Sequence, residues 1–236
     1  VILQVSDPKP YVQKPLISAD KLSFTKPGKA VDSIASPTAD AKVYYTLDGK
    51  TPTEKSNLYT KPFELNDYSV ISAKAFCKGL QASEISRLEV EASDPRINGL
   101  HYAYFEGVWD KIPDFSALTP LKKGKTTSFD LASLKSADDH FALRFSGFIT
   151  IPKAGDYTFF LVSDDGSRLY VDGKQVVDND GCHGETEKSG SITLTKGKHS
   201  IGIAYFENIN GEALRLRYSF NNSIPIEIPV RWLTFE

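Results

Sequence analysis

Hydrophobic and polar residues alternate most regularly in the second half of the chain. The run FALRFSGFITI at 141–151 alternates, with Phe141, Leu143 and Phe145 on one face and Ala142, Arg144 and Ser146 on the other. A period of two predicts β-strands with one buried face. Similar runs occur at 101–107, 157–163, 199–206 and 213–220. We therefore predict an all-β domain over residues 98–236, built as a two-sheet sandwich or a closed barrel.

The stretch FFLVSDDGSRLYVDG at 159–173 reads as a strand, an acidic turn and a second strand. Asp164-Asp165-Gly166 has turn chemistry, because glycine tolerates positive φ and an aspartate side chain accepts hydrogen bonds from nearby amides. Asp172-Gly173 is a second turn, of the Asp-Gly hairpin type. Two adjacent carboxylates at the tip of a hairpin form either a structural turn or half of a hard-cation site.

The first half of the chain has shorter runs separated by frequent turn signals. Strand patterns occur at 22–24, 31–34, 43–46, 70–76 and 86–91, and none of the intervening segments has a helical pattern. This texture predicts a small antiparallel sandwich over residues 14–92. The proline-containing residues 1–13 are interpreted as a connector, and the polar residues 93–97 as a short linker between the two domains.

The charge composition argues against two classes of binding partner. The 236 residues carry 28 basic and 30 acidic side chains, so no basic face for nucleic acid or anionic lipid is expected. Lys122-Lys123-Gly124-Lys125 is a short basic cluster, which we interpret as a solvated loop. No run approaches the roughly 18 apolar residues of a membrane span. The chain begins at Val1 and contains no Met, so we expect a piece of a longer polypeptide.

Two motif-rich runs in the first domain carry a family resemblance. YYTLDGKTPTEKSNLYTKPFEL (44–65), followed by VISAKAFCKGLQAS (70–83), resembles the small immunoglobulin-like module at the C-terminal end of chitobiases and β-N-acetylhexosaminidases. The resemblance implies an immunoglobulin-like accessory domain without catalytic residues.

The second domain resembles the anthrax protective-antigen-type domain, a fourteen-kilodalton β-barrel module. The resemblance is carried by HYAYFEG, by the long run from RFSGFITI to DNDGCHG (144–184), and by GSITLTKGKHSIGIAYFE and GEALRLRY. Such modules accompany bacterial glycosidases and fungal adhesins, and where their role is understood it is usually carbohydrate binding. In the adhesin branch, two adjacent aspartates joined by a cis peptide hold one Ca²⁺ ion that coordinates sugar hydroxyls.

Carried over to this sequence, the resemblance implies that Asp164 and Asp165 bind metal and sugar. It aligns Glu207 with the position where the adhesins have an asparagine; glutamate is also a competent oxygen ligand. If the loop is shifted, Asn208 and Asn210 are the candidates for the amide oxygen. Ca²⁺ takes 6–8 oxygens, so a second loop must contribute. The alternative is that the two aspartates only bind turn amides.

Two further residues have two interpretations each. His183, in the loop beside the acidic turn, is either a ligand contact or a residue that orders its own loop. Trp109 either stacks on a sugar face or packs at the edge of the core.

Taken together, the sequence predicts a non-catalytic accessory region of a larger glycoside hydrolase, resembling a β-N-acetylhexosaminidase. Its expected partners are a glycan, with GlcNAc or another terminal sugar, and an upstream catalytic domain of the same chain. The expected location is periplasmic, cell-surface or secreted, in a bacterium. The alternative is a structural spacer or protein-docking module. A hydrolase is disfavoured, because Asp164 and Asp165 are adjacent rather than on opposite sides of a scissile bond.

Overall fold

The computed structural model describes residues 10–236, which form two compact units that meet between Asp94 and Pro95. Most of the connector predicted for residues 1–13 lies outside the described residues. Within its last part, Val12 is fully buried in the core of the first unit and its amide donates to the carbonyl of Gln81. No helix among the described residues is long and apolar enough to cross a membrane.

The first unit, as far as the structure describes it, is a sandwich of a five-stranded and a three-stranded sheet, ordered β2-β8-β7-β4-β5 and β1-β3-β6. The strands are β1 Leu16–Ala19, β2 Ser23–Thr25, β3 Ala30–Ala35, β4 Lys42–Thr46, β5 Asn57–Leu58, β6 Phe63–Leu65, β7 Ser69–Phe76 and β8 Ser86–Ser93. All pairs are antiparallel except β2 with β8, which is parallel. The small sandwich predicted here is confirmed.

The second unit packs a seven-stranded sheet against a four-stranded one. The first is ordered β10-β9-β11-β16-β13-β14 with β19 joined to β11, and the second β15-β12-β17-β18. The strands are β9 Leu100–Glu106, β10 Lys122–Thr126, β11 Phe141–Ile151, β12 Gly155–Asp164, β13 Ser167–Val171, β14 Lys174–Asn179, β15 Thr186–Leu194, β16 Gly197–Glu207, β17 Ala213–Phe220, β18 Ile226–Glu227 and β19 Leu233–Thr234. One helical turn, α1 Leu131–Leu134, and two 3₁₀ turns, Phe115–Ala117 and Val230–Trp232, complete the unit.

The core of the second unit lies between its two sheets and follows the predicted alternation. Phe141, Leu143 and Phe145 of β11 are fully buried in this core. Opposite them, Phe159 and Leu161 of β12 are also fully buried. On the outer face Arg144 and Ser146 are exposed, whereas Ala142 is buried under Phe105 and Phe206. The prediction of an all-β sandwich is confirmed, and the two sheets stay separate rather than closing into one barrel.

The prediction of a solvated loop for the basic cluster at 122–125 is wrong. The cluster is not a loop but most of strand β10, which pairs with β9 at the edge of the seven-stranded sheet. Lysines suit an edge strand, because their charge discourages pairing with other chains and their alkyl stems cover apolar surface. The ammonium of Lys125 lies 4.2 Å from the centre of the Phe235 ring, and that of Lys122 lies 5.8 Å from the Tyr102 ring.

The acidic turn is not the tip of a hairpin, as the sequence pattern suggested. Strand β12 before the turn belongs to the four-stranded sheet, and β13 after it belongs to the seven-stranded sheet. The turn therefore crosses from one layer of the sandwich to the other. The second predicted turn is confirmed: Asp172 and Gly173 have φ values of 49° and 72° and join the antiparallel strands β13 and β14, as a type I′ hairpin turn requires.

Candidate metal and ligand site

The candidate site lies where the crossing turn meets the end of β16. Asp164 and Asp165 are joined by a cis peptide bond. Gly166 does not have the positive φ that we expected. Instead, glycine is needed here because there is no room for a side chain. A Cβ at this position would lie 2.9 Å from the backbone N and O of Gly181 and closer still to the Phe206 ring. The turn is thus pressed between β16 and the loop that follows β14.

The Asp165 carboxylate connects this turn to two other loops. Asp165 is only 5% exposed. Its Oδ1 accepts a hydrogen bond of 2.8 Å from the His183 amide, and its Oδ2 accepts one of 3.0 Å from the Asn208 amide. These amides come from distant loops, not from the turn itself. Bonds from amides to a carboxylate are strong, so Asp165 holds the three segments together.

Glu207 ends β16 and is fully buried beside Asp165. Its Oε2 lies 3.0 Å from the hydroxyl of Tyr205 and 3.2 Å from the amide of Asp165, whereas its Oε1 is buried with no hydrogen-bond partner among the described residues. Burial, together with the negative charges of Asp165 and Asp164, raises the pKa of Glu207 to about 8 despite the hydrogen bonds that oppose the rise. A buried carboxylate with one free oxygen is unstable unless it is protonated or meets a cation.

The three carboxylates are close enough to share one ion. An oxygen from each of Asp164, Asp165 and Glu207 lies within 4.8 Å of the others. Two oxygens that bind the same Ca²⁺ ion, each at 2.3–2.6 Å, are at most about 5 Å apart. Asp164 is half-buried, and burial followed by the charge of Asp165 raises its pKa. The residues predicted as metal ligands are thus brought together, and their spacing fits a Ca²⁺ ion.

The loop after β16 surrounds the cluster. Asn208 has a buried Oδ1 with no partner among the described residues, a second orphaned oxygen next to Glu207. A Cβ at Gly211 would lie 3.2 Å from Oδ2 of Asp164, so this loop passes directly against that carboxylate. Asn210 has a positive φ of 83°, and its amide donates to Asp139. Its side chain is exposed, so of the two asparagines Asn208 is the one with a buried side-chain oxygen that lacks a partner among the described residues.

His183 and Trp109 have structural contacts. The two ring nitrogens of His183 lie 2.9 Å from the carbonyl oxygen of Asn179, at the end of β14, and 3.0 Å from that of Gly184, in its own loop. These contacts support the loop-ordering interpretation. Trp109 is half-buried on the outer face of the seven-stranded sheet, where it packs on the cluster formed by Phe105, Ala142 and Phe206. It does not belong to the carboxylate cluster.

Sequence reasoning did not identify Tyr205 as part of the site. Its hydroxyl lies 2.6 Å from the backbone oxygen of Asp164 as well as 3.0 Å from Glu207. The signal was present, because residues two apart on a strand point to the same face, which places Tyr205 directly below Glu207. Buried Asn179 was also missed; its Nδ2 donates to the Ser163 hydroxyl and to the carbonyl of Thr186, behind the turn.

The second unit is thus a two-layer β-sandwich with a carboxylate-rich loop site at one end. The family model described as "PA14 domain" matches residues 98–231. The chain therefore belongs to the PA14 domain family. The model described as "Chitobiase/beta-hexosaminidase C-terminal domain" matches residues 25–87, within the first unit. The predicted chitobiase C-terminal-type module is found, and the second predicted module is found as a PA14 domain.

Among full-length relatives, the chain is similar to a β-hexosaminidase of Porphyromonas gingivalis, with 24% identity over 218 residues. The match covers 86% of this chain but 27% of that protein, so the chain spans about a quarter of its length. A solved structure of an anti-sigma factor domain-containing protein superposes with a TM-score of 0.51 at 18% identity, covering 83% of this chain and 76% of that one. The solved structure of a PA14 sugar-binding domain from an RTX adhesin superposes with a TM-score of 0.49 at 20% identity. The match covers 59% of this chain and 99% of that one.

Proposed function

We propose that this chain is a non-catalytic, carbohydrate-binding accessory region of a larger glycoside hydrolase, and that its PA14 unit binds sugar through a Ca²⁺ ion. The parent enzyme would be of the β-hexosaminidase type. Support for this parent is that one chain combines both family matches and is similar over most of its length to part of a β-hexosaminidase. Its partners would be a glycan and an upstream catalytic domain.

The observation that carries the metal part is the buried, unpartnered Oε1 of Glu207 within a cluster of three carboxylates. Without a proton or a cation among them, three ionised carboxylates in so small a volume would repel one another strongly in a poorly hydrated site. A hard divalent cation removes that repulsion and provides the missing partner. We assign Asp164, Asp165 and Glu207 as carboxylate ligands, and Asn208 Oδ1 as an amide oxygen ligand.

Each protein group then has a separate task. Asp165 fixes the three segments of the site through its two amide hydrogen bonds. Tyr205 orients Glu207 and the backbone oxygen of Asp164. When bound, Ca²⁺ supplies positive charge and coordination positions for sugar hydroxyls. Asp164 is the most exposed carboxylate of the three, so it lies on the side from which a glycan approaches.

The spacing of the carboxylates argues against hydrolysis at this site. Retaining glycosidases hold their two carboxyl groups about 5–5.5 Å apart, and inverting enzymes hold them farther apart to admit a water molecule. Here the nearest oxygens are within 4.8 Å, and both Asp165 and Glu207 are buried. Such an arrangement suits an ion between the groups better than a sugar ring.

A periplasmic, cell-surface or secreted location provides Ca²⁺ for a site of modest affinity.

Calorimetric titration with Ca²⁺ tests the metal assignment. Wild-type protein should bind one equivalent. Glu207→Gln should lower the affinity at least tenfold, because the amide replaces a charged ligand. Glu187→Gln is the matched control, since Glu187 is an exposed carboxylate of β15 that pairs with Arg217; it should bind Ca²⁺ nearly as wild type does.

The competing function is a structural spacer without a ligand. It is favoured by the two amide hydrogen bonds of Asp165, which would hold the turn together without any ion. A spacer predicts no heat of Ca²⁺ binding in any of the three proteins. That result would refute the Ca²⁺ site.

A further inference from the structure

A second concave surface lies on the outer face of the seven-stranded sheet, apart from the carboxylate cluster. It is a groove of about 830 Å³, a volume typical of ligand sites. Its floor is β16, where the outward residues Ser200, Gly202 and Ala204 are all small. Glu207 lies three residues beyond Ala204, on the opposite face of the sheet and roughly 10 Å along the strand.

Larger side chains from the two neighbouring strands form the walls. Arg144 of β11 and Arg168 of β13 stand on either side of Ala204, since both are paired with it in register. Phe148 is paired with Ser200 on one side, and Tyr170 with Gly202 on the other. The result is a trough along β16 with a charged end and an aromatic end, with a floor roughly 14 Å long.

The glycine in the floor is not required by the fold. A Cβ at Gly202 would meet nothing closer than 3.7 Å, which is an ordinary contact, and its φ is not positive. Gly147 on the adjacent strand differs, because a Cβ there would lie 2.7 Å from the backbone oxygen of Thr234. Glycine in a strand lowers stability relative to larger residues. At position 202 it keeps the groove deep, which is what a ligand site needs.

The charges around the groove are predominantly positive. Arg144 is exposed, and neither an ion pair nor a hydrogen bond is formed by its guanidinium within residues 10–236. Lys198 lies with its ammonium 4.2 Å from the centre of the Phe148 ring, and Lys125 is placed at the same distance from Phe235, another lining residue. These two lysines also form no ion pair with the described carboxylates.

The negative groups near the groove are already engaged. Asp178 and Asp180 pair with Arg168 at 3.1 and 2.8 Å. Asp114, which also lines the groove, accepts hydrogen bonds from the hydroxyl and the amide of Ser116; they lower its pKa and leave its single negative charge in place. Arg144, Lys125 and Lys198 therefore remain as unpaired cations around a groove whose other walls are aromatic rings.

We propose that this groove binds an acidic oligosaccharide, with the Arg144 guanidinium holding a sugar carboxylate and the rings of Tyr170 and Phe148 packing against the sugars. The planar fork of arginine matches a carboxylate in a bidentate pair. Aromatic rings in an open trough suit the apolar faces of pyranose rings. The choice of a saccharide among anions rests on the carbohydrate-binding function proposed above. The groove itself does not depend on the metal.

The test is binding of tetrasaccharides of galacturonate, mannuronate and hyaluronan to the full chain in EDTA, each compared with its carboxyl-reduced form. We expect at least one acidic tetrasaccharide to bind, and its neutral counterpart to bind at least tenfold more weakly. Arg144→Gln should weaken binding roughly tenfold or more, and Gly202→Val should abolish it by filling the floor. Arg215→Gln is the control for loss of one positive charge on the other sheet, and it should have little effect.

Several outcomes would overturn the assignment. They are no binding of any acidic tetrasaccharide, equal binding of the carboxyl-reduced forms, equal loss in Arg215→Gln, or retained binding in an Arg144→Gln variant that unfolds at the wild-type temperature. Dextran sulfate binding as tightly as the best uronate would also overturn it, as general attraction of polyanions. Because EDTA is present throughout, failure here is distinct from failure of the Ca²⁺ site, which the titration with Glu207→Gln detects separately.

Discussion

The hydroxyl of Tyr205 lies between two groups of the carboxylate site, 3.0 Å from Oε2 of Glu207 and 2.6 Å from the backbone oxygen of Asp164. A phenol has one hydrogen to donate, so it cannot satisfy both oxygens at once. When it donates to the Asp164 oxygen, the described donor left for Oε2 of Glu207 is the Asp165 amide at 3.2 Å, and Oε1 has none. Glu207 therefore needs a proton or a cation. This relationship links the packing of β16 to the chemistry of the turn.

Removing this hydroxyl should therefore destabilise the second unit and weaken the site. We expect Tyr205→Phe to lower the free energy of unfolding by roughly 1–3 kcal/mol, because it leaves buried oxygens without a donor. Urea denaturation measures the change, and the Ca²⁺ titration should show reduced affinity. Tyr102→Phe is the control, since the Tyr102 hydroxyl forms none of the described hydrogen bonds. Equal effects of the two substitutions would contradict this role of Tyr205.

Ca²⁺ binding should release a proton at neutral pH. Burial, with the charges of Asp165 and Asp164, raises the pKa of metal-free Glu207 to about 8, so at pH 7 the group is mainly protonated. The ion needs the ionised form, and its affinity should rise up to tenfold per pH unit from about pH 6 to pH 8 and then level off. Calorimetry at pH 7 in buffers of different ionisation enthalpy counts the released protons. A heat independent of buffer would contradict a protonated Glu207.

The raised pKa of Glu207 also determines how the stability of the metal-free protein changes with pH. The folded-state pKa of Glu207 lies above the unfolded value, so the metal-free protein binds more protons when folded between about pH 4.5 and pH 8. The contribution of protonated Glu207 to the free energy of unfolding is complete below about pH 4.5 and is lost as the pH rises to about 8. Added Ca²⁺ should suppress this loss.

Gly166 should tolerate no side chain, for packing reasons. In Gly166→Ala the new methyl group would press on the backbone of Gly181 and on the Phe206 ring. Overpacking of this kind costs roughly 1–3 kcal/mol, measurable as a lower midpoint of thermal unfolding. Gly184→Ala, in the adjacent loop, is the matched control, because a Cβ there meets nothing within 4 Å. A wild-type melting temperature for Gly166→Ala would show that the turn can move away.

How far the sequence predicts this molecule depends on the range of the interactions. Strands β11 and β17 follow from alternation alone, because one face of each is buried along most of its length. The close approach of Glu207 to Asp165 was expected only from family resemblance, since 42 residues separate them. Alternation could not show that β12 and β13 belong to different sheets, because both strands have the same local pattern. The role of Gly166 was likewise hidden, as its neighbour Phe206 lies on another strand.

The first unit contains a buried acid whose titration should be visible in its stability. Asp32 is fully buried and neither of its oxygens has a hydrogen-bond partner within residues 10–236. Burial, then the charge of Asp20, raises its pKa to about 6. Stability should therefore fall by roughly 3 kcal/mol as the pH rises from about 4 to above 6. This part of the pH dependence should be absent in Asp32→Asn, measured by urea denaturation at pH 4.5 and 7.5.

A control separates this titration from those of surface carboxylates. Asp40→Asn makes the same chemical change at an exposed position of the first unit, and it should retain the wild-type pH dependence. If Asp32→Asn also retains it, Asp32 is not the titrating group.

We propose above that the PA14 unit binds sugar through a Ca²⁺ ion held by Asp164, Asp165 and Glu207. The most direct measurement is binding of the wild type and of Glu207→Gln to one glycan array, with GlcNAc-terminated and other neutral sugars, in Ca²⁺ and in EDTA. We predict neutral glycans that bind the wild type in Ca²⁺ only, and that Glu207→Gln does not bind in either condition. Neutral-glycan signals that persist in EDTA, or that Glu207→Gln retains at full strength, would contradict the claim.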